Sequence, residues 1–370
     1  MSAASGGTPP ETPLASKLKD RIRREGPISV SEYVRACLYD PDCGYYRRKP
    51  AIGAGGDFIT APEISQVFGE LIGLWSAVVW QHMGSPPRLD LVELGPGRGT
   101  LMADALRATR IVPGFHQALH LHLVESNVTL VPLQRTAIAA HDVSASWSET
   151  IEAFVDAVGG TPAPMIVIAN EFLDTCAADQ YEAHNGEFVL RGVGLDADGE
   201  LTFTLLPDRR AEPAQAPPRD GNFLEIQDFG FFRPLARLMA DRPAAALFID
   251  YGSASAASAD TLQAVRGQKS EPPLRSPGEA DLSFQVDFAR FRRLALETPG
   301  LAVDGPVPQG QFLGQLGVVE RASRLMAANP AKAAAIELQI QRLMAPTGMG
   351  SRFLALGVRS AYLAPLPGLA

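Results

Sequence analysis

The stretch Leu89-Asp-Leu-Val-Glu-Leu-Gly-Pro-Gly-Arg-Gly-Thr100 leaves this chain the fewest choices. Its first half, Leu89 to Leu94, is a short apolar run of the length and flanking that suit a buried parallel strand. Glycines follow at 95, 97 and 99, and Leu101-Met-Ala-Asp-Ala-Leu-Arg107 then carries helical periodicity. The glycines therefore stand at a strand-to-helix turn. There the backbone takes positive φ, a ligand meets no Cβ, and the helix amino terminus offers unpaired N–H groups. A bare glycine turn can merely close a βα connection. Glu93 before it, the helix after it and a second strand ending in Val124-Glu125 favour a nucleotide-type site.

The dinucleotide fingerprint needs G-x-G-x-x-G and an acid about 20 residues on. Here the spacing is G-x-G-x-G, and position 96 is proline, which has no N–H to offer a pyrophosphate. The next acid at a strand end is Glu125, closing Leu119-His-Leu-His-Leu-Val-Glu125. S-adenosylmethionine has no phosphate; it carries a sulfonium cation, an amino-acid end and a ribose whose two hydroxyls suit a carboxylate after the second strand. The loop and Glu125 fit that ligand better than NAD, and Glu93 would lie near its cationic end.

With 370 residues the chain can form one large domain or two ordinary ones. A formal net charge of -8, without clustered basic and aromatic residues, argues against nucleic acid as a partner. No apolar run approaches the roughly 18 residues of a membrane span. Cys37, Cys43 and Cys176 are too few and too irregular for a disulfide framework or a zinc site, and His116, His120, His122 and His141 lack a carboxylate or cysteine at ligand spacing, so no metal is expected. Residues 1 to 13 read as a disordered tail, neither a secretory signal nor a transit peptide. A bacterial cytoplasmic location is the expectation, mitochondrial if the source is eukaryotic.

In chain order, Leu14, Leu18 and Ile22 mark an amphipathic helix, and Ser29 caps a second through Leu38. The glycine-rich Gly53–Asp57 loop leads through Thr60, Pro62 and Glu63 into a helix from Ile64 to about Met83, and is either a lid or the entry to an ordinary core helix. Met165-Ile-Val-Ile-Ala-Asn170 and Ala244-Ala-Ala-Leu-Phe-Ile-Asp-Tyr-Gly252 are further core strands, so the pattern is doubly wound α/β. Asn185-Gly186 between two alternating runs signals a hairpin in an antiparallel insertion. Residues 253 to 283 read as a long loop, followed by helices and a final strand from Phe353 to Val358.

Ligands of doubly wound sheets bind beyond the carboxyl ends of the strands. Glu93, Glu125, Asn170, Glu171 and Asp174 should all fall there. If Glu171 to Asp174 is a first helical turn, both carboxylates can face one pocket and hold a guanidinium, and one can take the proton lost on methyl transfer. Acids at a helix start also simply favour the macrodipole, but that leaves Asn170 unexplained. Asp250 and Tyr251 either line the pocket or just end their strand.

Together, Gly56-Asp-Phe-Ile-Thr-Ala-Pro-Glu-Ile-Ser-Gln-Val-Phe-Gly69, Val92-Glu-Leu-Gly-Pro-Gly-Arg-Gly-Thr-Leu-Met102, Ala169-Asn-Glu-Phe-Leu-Asp174, Asp250-Tyr-Gly252, Asp260-Thr-Leu-Gln-Ala-Val265 and Pro277-Gly-Glu-Ala-Asp-Leu282 resemble the MidA-like S-adenosylmethionine-dependent methyltransferases. The resemblance runs from about Leu14 to Val358. It implies a class I methyltransferase Rossmann-like sheet (87–370), an N-terminal helical extension (14–86) and insertions at about 178–228, antiparallel β, and 253–283. It maps Glu93, Gly95, Gly97 and Glu125 onto the cofactor site and the Asn170-Glu171 turn beside the transferred methyl; from the residues themselves, Gly99 and Asn170 join the expected cofactor contacts, and Glu171 and Asp174 are the expected catalytic pair. The family's known activity is symmetric ω-N dimethylation of an arginine in a respiratory complex I subunit, so a protein substrate is implied. The alternatives are methylation of a small molecule and a cofactor-binding assembly chaperone with little turnover. This chain departs from the family at Thr175-Cys-Ala-Ala178, at Gly267-Gln268 and at Met349-Gly-Ser-Arg-Phe353, where a lysine-rich Met-Gly-x-x-Phe-Lys is typical, positions that face substrate more than cofactor.

Overall fold

The computed structural model describes residues 11–48, 59–160, 162–211, 222–255 and 259–369. The Gly53–Asp57 loop and residues 1–10 of the expected tail lie outside these. The chain divides into two compact units, one made of Met1–Arg48, Ala177–Ile226 and Ser258–Ser283, the other of Lys49–Cys176, Gln227–Ala257 and Phe284–Ala370.

The larger unit is built on strands β1 (Leu89–Leu94), β2 (Leu119–Val124), β3 (Ser144–Ser148), β4 (Met165–Asn170), β5 (Ala244–Ser253), β6 (Leu301–Pro308) and β7 (Phe353–Ser360). Their order in the sheet is β3-β2-β1-β4-β5-β7-β6, with β7 antiparallel to both of its neighbours. The pairs β1–β2, β1–β4, β2–β3 and β4–β5 are parallel. This is the doubly wound sheet that the apolar runs predict. The strand order reverses between β1 and β4, and the crevice beyond their carboxyl ends is the natural ligand position. Apolar layers cover both faces, which is why β1 is buried at every residue.

Two strands depart from the sequence reading. Neither β3, Ser-Ala-Ser-Trp-Ser, nor β6, Leu-Ala-Val-Asp-Gly-Pro-Val-Pro, has an apolar run. Both are sheet edges with largely unburied residues, and β6 carries its Gly305-Pro306 where its register with β7 shifts. An edge or a bulge is where a sheet tolerates proline.

The helix expected from Ile64 breaks at Ser65, whose extended backbone and side chain cap helix α1 (Gln66–His82). Beneath α1 lies α2 (Thr100–Thr109), and the two approach closely at Gly69 and Gly73. A Cβ on Gly73 would stand 2.5 Å from Ala105 Cα and 2.6 Å from its carbonyl oxygen. Buried Glu70 ties α1 to Arg107 at 2.9 Å and to Arg321 at 2.7 Å. Gly73→Ala should therefore cost about 1–3 kcal/mol, read by equilibrium denaturation. Unchanged stability would mean that the helices separate freely.

In the smaller unit, helices Pro13–Glu25 and Val30–Tyr39 bury Leu14, Leu18, Ile22, Tyr33, Val34 and Leu38. Thr12 caps the first helix, so the expected tail is ordered by its last residues, and a Ser29–Glu32 capping box starts the second. Ala178–His184 and Glu187–Leu195 form the predicted hairpin, with Asn185 and Gly186 both at positive φ. The expected 253–283 loop instead carries a three-stranded antiparallel sheet, turned at Gly267-Gln268, whose residues also have positive φ. Thr12 Oγ1 donates to the Pro277 carbonyl at 2.8 Å and Tyr33 Oη to that of Pro273 at 2.7 Å. The proposed 14–86 extension is thus divided: its first two helices belong with the β insertion, whereas α1 buries Val67, Phe68, Leu71 and Ile72 in the core of the larger unit. Among the described residues no helix is long and apolar enough to cross a membrane.

Candidate active site

One cavity lies beyond the carboxyl ends of β1 and β4. Its wall combines Glu93, Gly95, Pro96, Gly97 and Arg98 from the β1 end, Asn170 and Glu171 from the β4 end, and Thr60, Pro62 and Glu63 from the segment before α1. The glycines do there what the spacing implies. Gly95, Gly97 and Gly99 have φ of 65°, 54° and 82°, a region costly for residues with a Cβ. A Cβ on Gly95 would meet the Phe172 ring at 3.0 Å, and one on Gly99 the Gln134 backbone at 3.1 Å. Gly99 sits behind the wall as the N-cap of α2.

Two wall atoms are buried without a hydrogen-bond partner among the described residues, Glu93 Oε2 and Asn170 Oδ1. Both are acceptors, and a buried acceptor without a donor is costly. Burial, and then the charge of Glu125, pushes Glu93 up to about 8. Glu125 rises to about 7 by burial, restrained by the Asn127 N–H, the Gln134 side chain and the Gly97 N–H. It lies just after β2, outside the cavity wall, and Gln134 joins it to the loop by donating to Glu125 Oε2 at 3.0 Å and to the Gly97 carbonyl at 2.7 Å.

Glu171 is the one wall carboxylate in a strained backbone, at φ 51°. Its Oε1 accepts the Ala61 N–H at 2.7 Å and Asn170 Nδ2 at 3.2 Å. Burial raises its pKa to about 7 against those two donors, and the charge of Asp174 adds to the rise. The expected helical turn from Glu171 to Asp174 is absent. The chain passes through left-handed Glu171 into a short 3-10 turn, Leu173–Thr175, so the two carboxylates do not share a face by helical spacing. Asp174 is not part of the cavity wall.

Asp250 explains how that turn is held. Its Oδ2 accepts the backbone N–H groups of Phe172, Leu173 and Asp174 at 2.9, 2.7 and 3.2 Å, and its Oδ1 accepts that of Tyr251 at 2.7 Å. Burial and the carboxylates of Asp174 and Glu171 push its pKa up, while the backbone donors pull the other way. Asp250 therefore neither lines the cavity nor merely ends its strand; it clamps the loop that carries Glu171.

From sequence alone Arg98 and Thr100 have no role, and Thr60 and Glu63 stand at the entry to a helix that is either a lid or part of the core. The cavity contains all four, and the Thr100 hydroxyl donates to Glu63 Oε1. A helix-capping pattern looks the same whether or not its acid faces a ligand, so only their convergence singles them out. Two of the histidines have local partners: His122 lies between Asp90 and Ser146, and His116 meets Thr109.

The raised carboxylates have a consequence for stability. A folded pKa above the ordinary 4.5 means that the folded protein keeps a proton the unfolded chain releases, so stability falls as pH rises from 4.5 to about 8. Glu93→Gln abolishes the shift of the one raised carboxyl group on the β1 side of the cavity wall, beside the glycine loop. Without added cofactor, wild type should lose on the order of 3 kcal/mol relative to Glu93→Gln between about pH 6 and 8.5, seen in paired denaturation curves. Parallel curves would place Glu93 in contact with water.

The family model described as S-adenosyl-L-methionine-dependent methyltransferase matches residues 71–307. The mouse (Mus musculus) protein named Protein arginine methyltransferase NDUFAF7, mitochondrial is 34% identical over 379 residues, covering 95% of this chain and 86% of its own. Its Drosophila melanogaster homologue is 33% identical over 391 residues, covering 96% of this chain and 87% of its own. A Burkholderia thailandensis protein, solved bound to S-adenosyl-homocysteine, has the same fold at a TM-score of 0.85 and 23% identity, with 98% of each chain covered.

Proposed function

This chain belongs to the MidA-like family of S-adenosyl-L-methionine-dependent methyltransferases, and we propose that it methylates arginine side chains of a protein substrate, with Glu171 holding the guanidinium. The observation that carries this reading is the position of Glu171: a half-buried carboxylate in the cavity wall, with a pKa of about 7, at the end of the strand next to the glycine loop. Relatives named as protein arginine methyltransferases match over nearly the whole chain.

The cavity wall suits the cofactor. Glu93 Oε2 and Asn170 Oδ1, without a partner among the described residues, can accept from an ammonium or a hydroxyl, and the glycine loop leaves no Cβ in the way. When bound, S-adenosylmethionine supplies an electrophilic methyl group on a sulfonium. Glu93, Gly95, Gly97 and Asn170 would hold it; Glu125, fixed by Asn127 and Gln134, would take the ribose, and Gly99 would set the start of α2. A cationic cofactor and a cationic side chain repel each other, and the wall counters this with three carboxylates, Glu63, Glu93 and Glu171, against the single guanidinium of Arg98.

Glu171 would orient the guanidinium through charge-assisted hydrogen bonds and take its proton. Asp174 would act through Glu171, raising its affinity for that proton, without touching substrate. On the family resemblance, the proposal extends to symmetric ω-N dimethylation of a respiratory complex I subunit, in the bacterial cytoplasm or in mitochondria.

The test is incubation of the full chain with methyl-labelled S-adenosylmethionine and arginine-containing proteins, followed by hydrolysis and amino-acid analysis. Labelled ω-N-methylarginine is the expected product. Label found only on small molecules would replace the arginine reading with a small-molecule methyltransferase. Cofactor binding without label transfer to any acceptor would replace it with a binding chaperone.

A further inference from the structure

We propose that a second cavity, between helix Phe232–Ala240 and helix Phe288–Leu296, binds a single oxyanion, carboxylate or phosphate, independently of the methyl-transfer site. Arg233, Arg290 and Arg293 line it together with Asp228 and Glu297, and it encloses about 130 Å³. A water occupies roughly 30 Å³ of liquid, so the space suits a small anionic group.

The guanidiniums are not neutralised evenly. Arg233 is paired with Glu297 at 3.0 Å. Arg290 uses its Nε on the Gln227 carbonyl at 2.9 Å, and its two terminal nitrogens have no acceptor among the described residues. Arg293 lies three residues on, on the same helix face, and makes no hydrogen bond or ion pair among the described residues. Asp228 does not pair with either; its Oδ1 accepts the Gly230 N–H at 2.9 Å. The wall sets three positive side chains against two negative ones, with Asp287 as a further counter-charge on Arg290 from outside the wall.

Two like charges set side by side on a helix repel; Asp287, Asp228 and Glu297 offset part of that repulsion at Arg290, and an anion bound between the two guanidiniums would offset more. Burial pushes the Arg290 pKa down and the Arg293 charge adds to this, against the opposing charges of Asp287, Asp228 and Glu297. Phe229 and Leu294 supply apolar wall, which strengthens charge-assisted bonds made against it. The planar guanidinium fork matches the oxygen spacing of carboxylate and phosphate alike.

The test is calorimetric titration of the full chain at constant ionic strength with inorganic phosphate and, separately, with acetate. Saturable one-site binding is expected, at least tenfold weaker in Arg293→Gln and in Arg290→Gln, and unchanged in Glu171→Gln. S-adenosylmethionine affinity should be unchanged in both arginine variants. Arg293 is exposed, so its variant keeps the test valid if Arg290→Gln fails to fold. Binding of phosphate alone assigns the site to phosphate groups, and of acetate alone to carboxylates. Saturable binding of neither, or binding indifferent to Arg293→Gln, overturns the proposal.

Discussion

Glu171→Gln lowers turnover of methyl transfer by about 10²–10⁴-fold, the usual contribution of a positioned general base, while S-adenosylmethionine still binds. Glutamine keeps the size of the side chain and an oxygen for the Ala61 N–H. It loses the charge that pairs with a guanidinium and the capacity to take a proton. The pH profile supplies a second readout. Glu171, with its pKa near 7, must be ionised to act, so wild-type kcat/KM rises as pH increases through about 7, and this limb disappears in the variant. Turnover retained at a tenth of wild type or better, with the limb intact, would sink the assignment.

Asp250→Ala should be among the most destabilising single changes in the chain. It strips one acceptor from four backbone N–H groups, those of Phe172, Leu173, Asp174 and Tyr251. If half of them stay buried and unpaired, at about 1–3 kcal/mol each, the loss is about 2–6 kcal/mol. The same change frees Glu171 from a left-handed backbone that costs about 1–3 kcal/mol to hold. Asp250→Asn, isosteric but with one acceptor fewer, should fall between the two in stability and lower kcat more than it raises KM, because the clamp sets where Glu171 stands. Denaturation curves and steady-state kinetics measure both. A stability change within the roughly 0.5 kcal/mol of an ordinary surface substitution would mean that these N–H groups have another acceptor.

What the sequence by itself determined are the features whose cause is local. An apolar run such as Leu89–Leu94 is buried on both sheet faces wherever it goes, so β1, β4 and β5 are legible as runs, and β2 by its alternating buried leucines. Glycines at 95, 97 and 99 announce positive φ, and Asn185-Gly186 announces a hairpin, because few other residues tolerate those dihedrals. The carboxyl ends of those strands then bring Glu93, Asn170 and Glu171 to one cavity, with Glu125 at the neighbouring strand end behind it.

Only the tertiary structure decided what depends on distant partners. β3 and β6 have no apolar run because an edge strand has solvent beside it and takes its conformation from the neighbour it pairs with. Asp174 parts from Glu171 because Asp250, 76 residues away in the chain, captures the intervening N–H groups. Arg290 and Arg293 look like an ordinary solvated helix face until the Phe232–Ala240 helix closes a cavity over them. Periodicity records whether a residue is buried. Which donor meets which acceptor is set by packing between segments that sequence spacing does not connect.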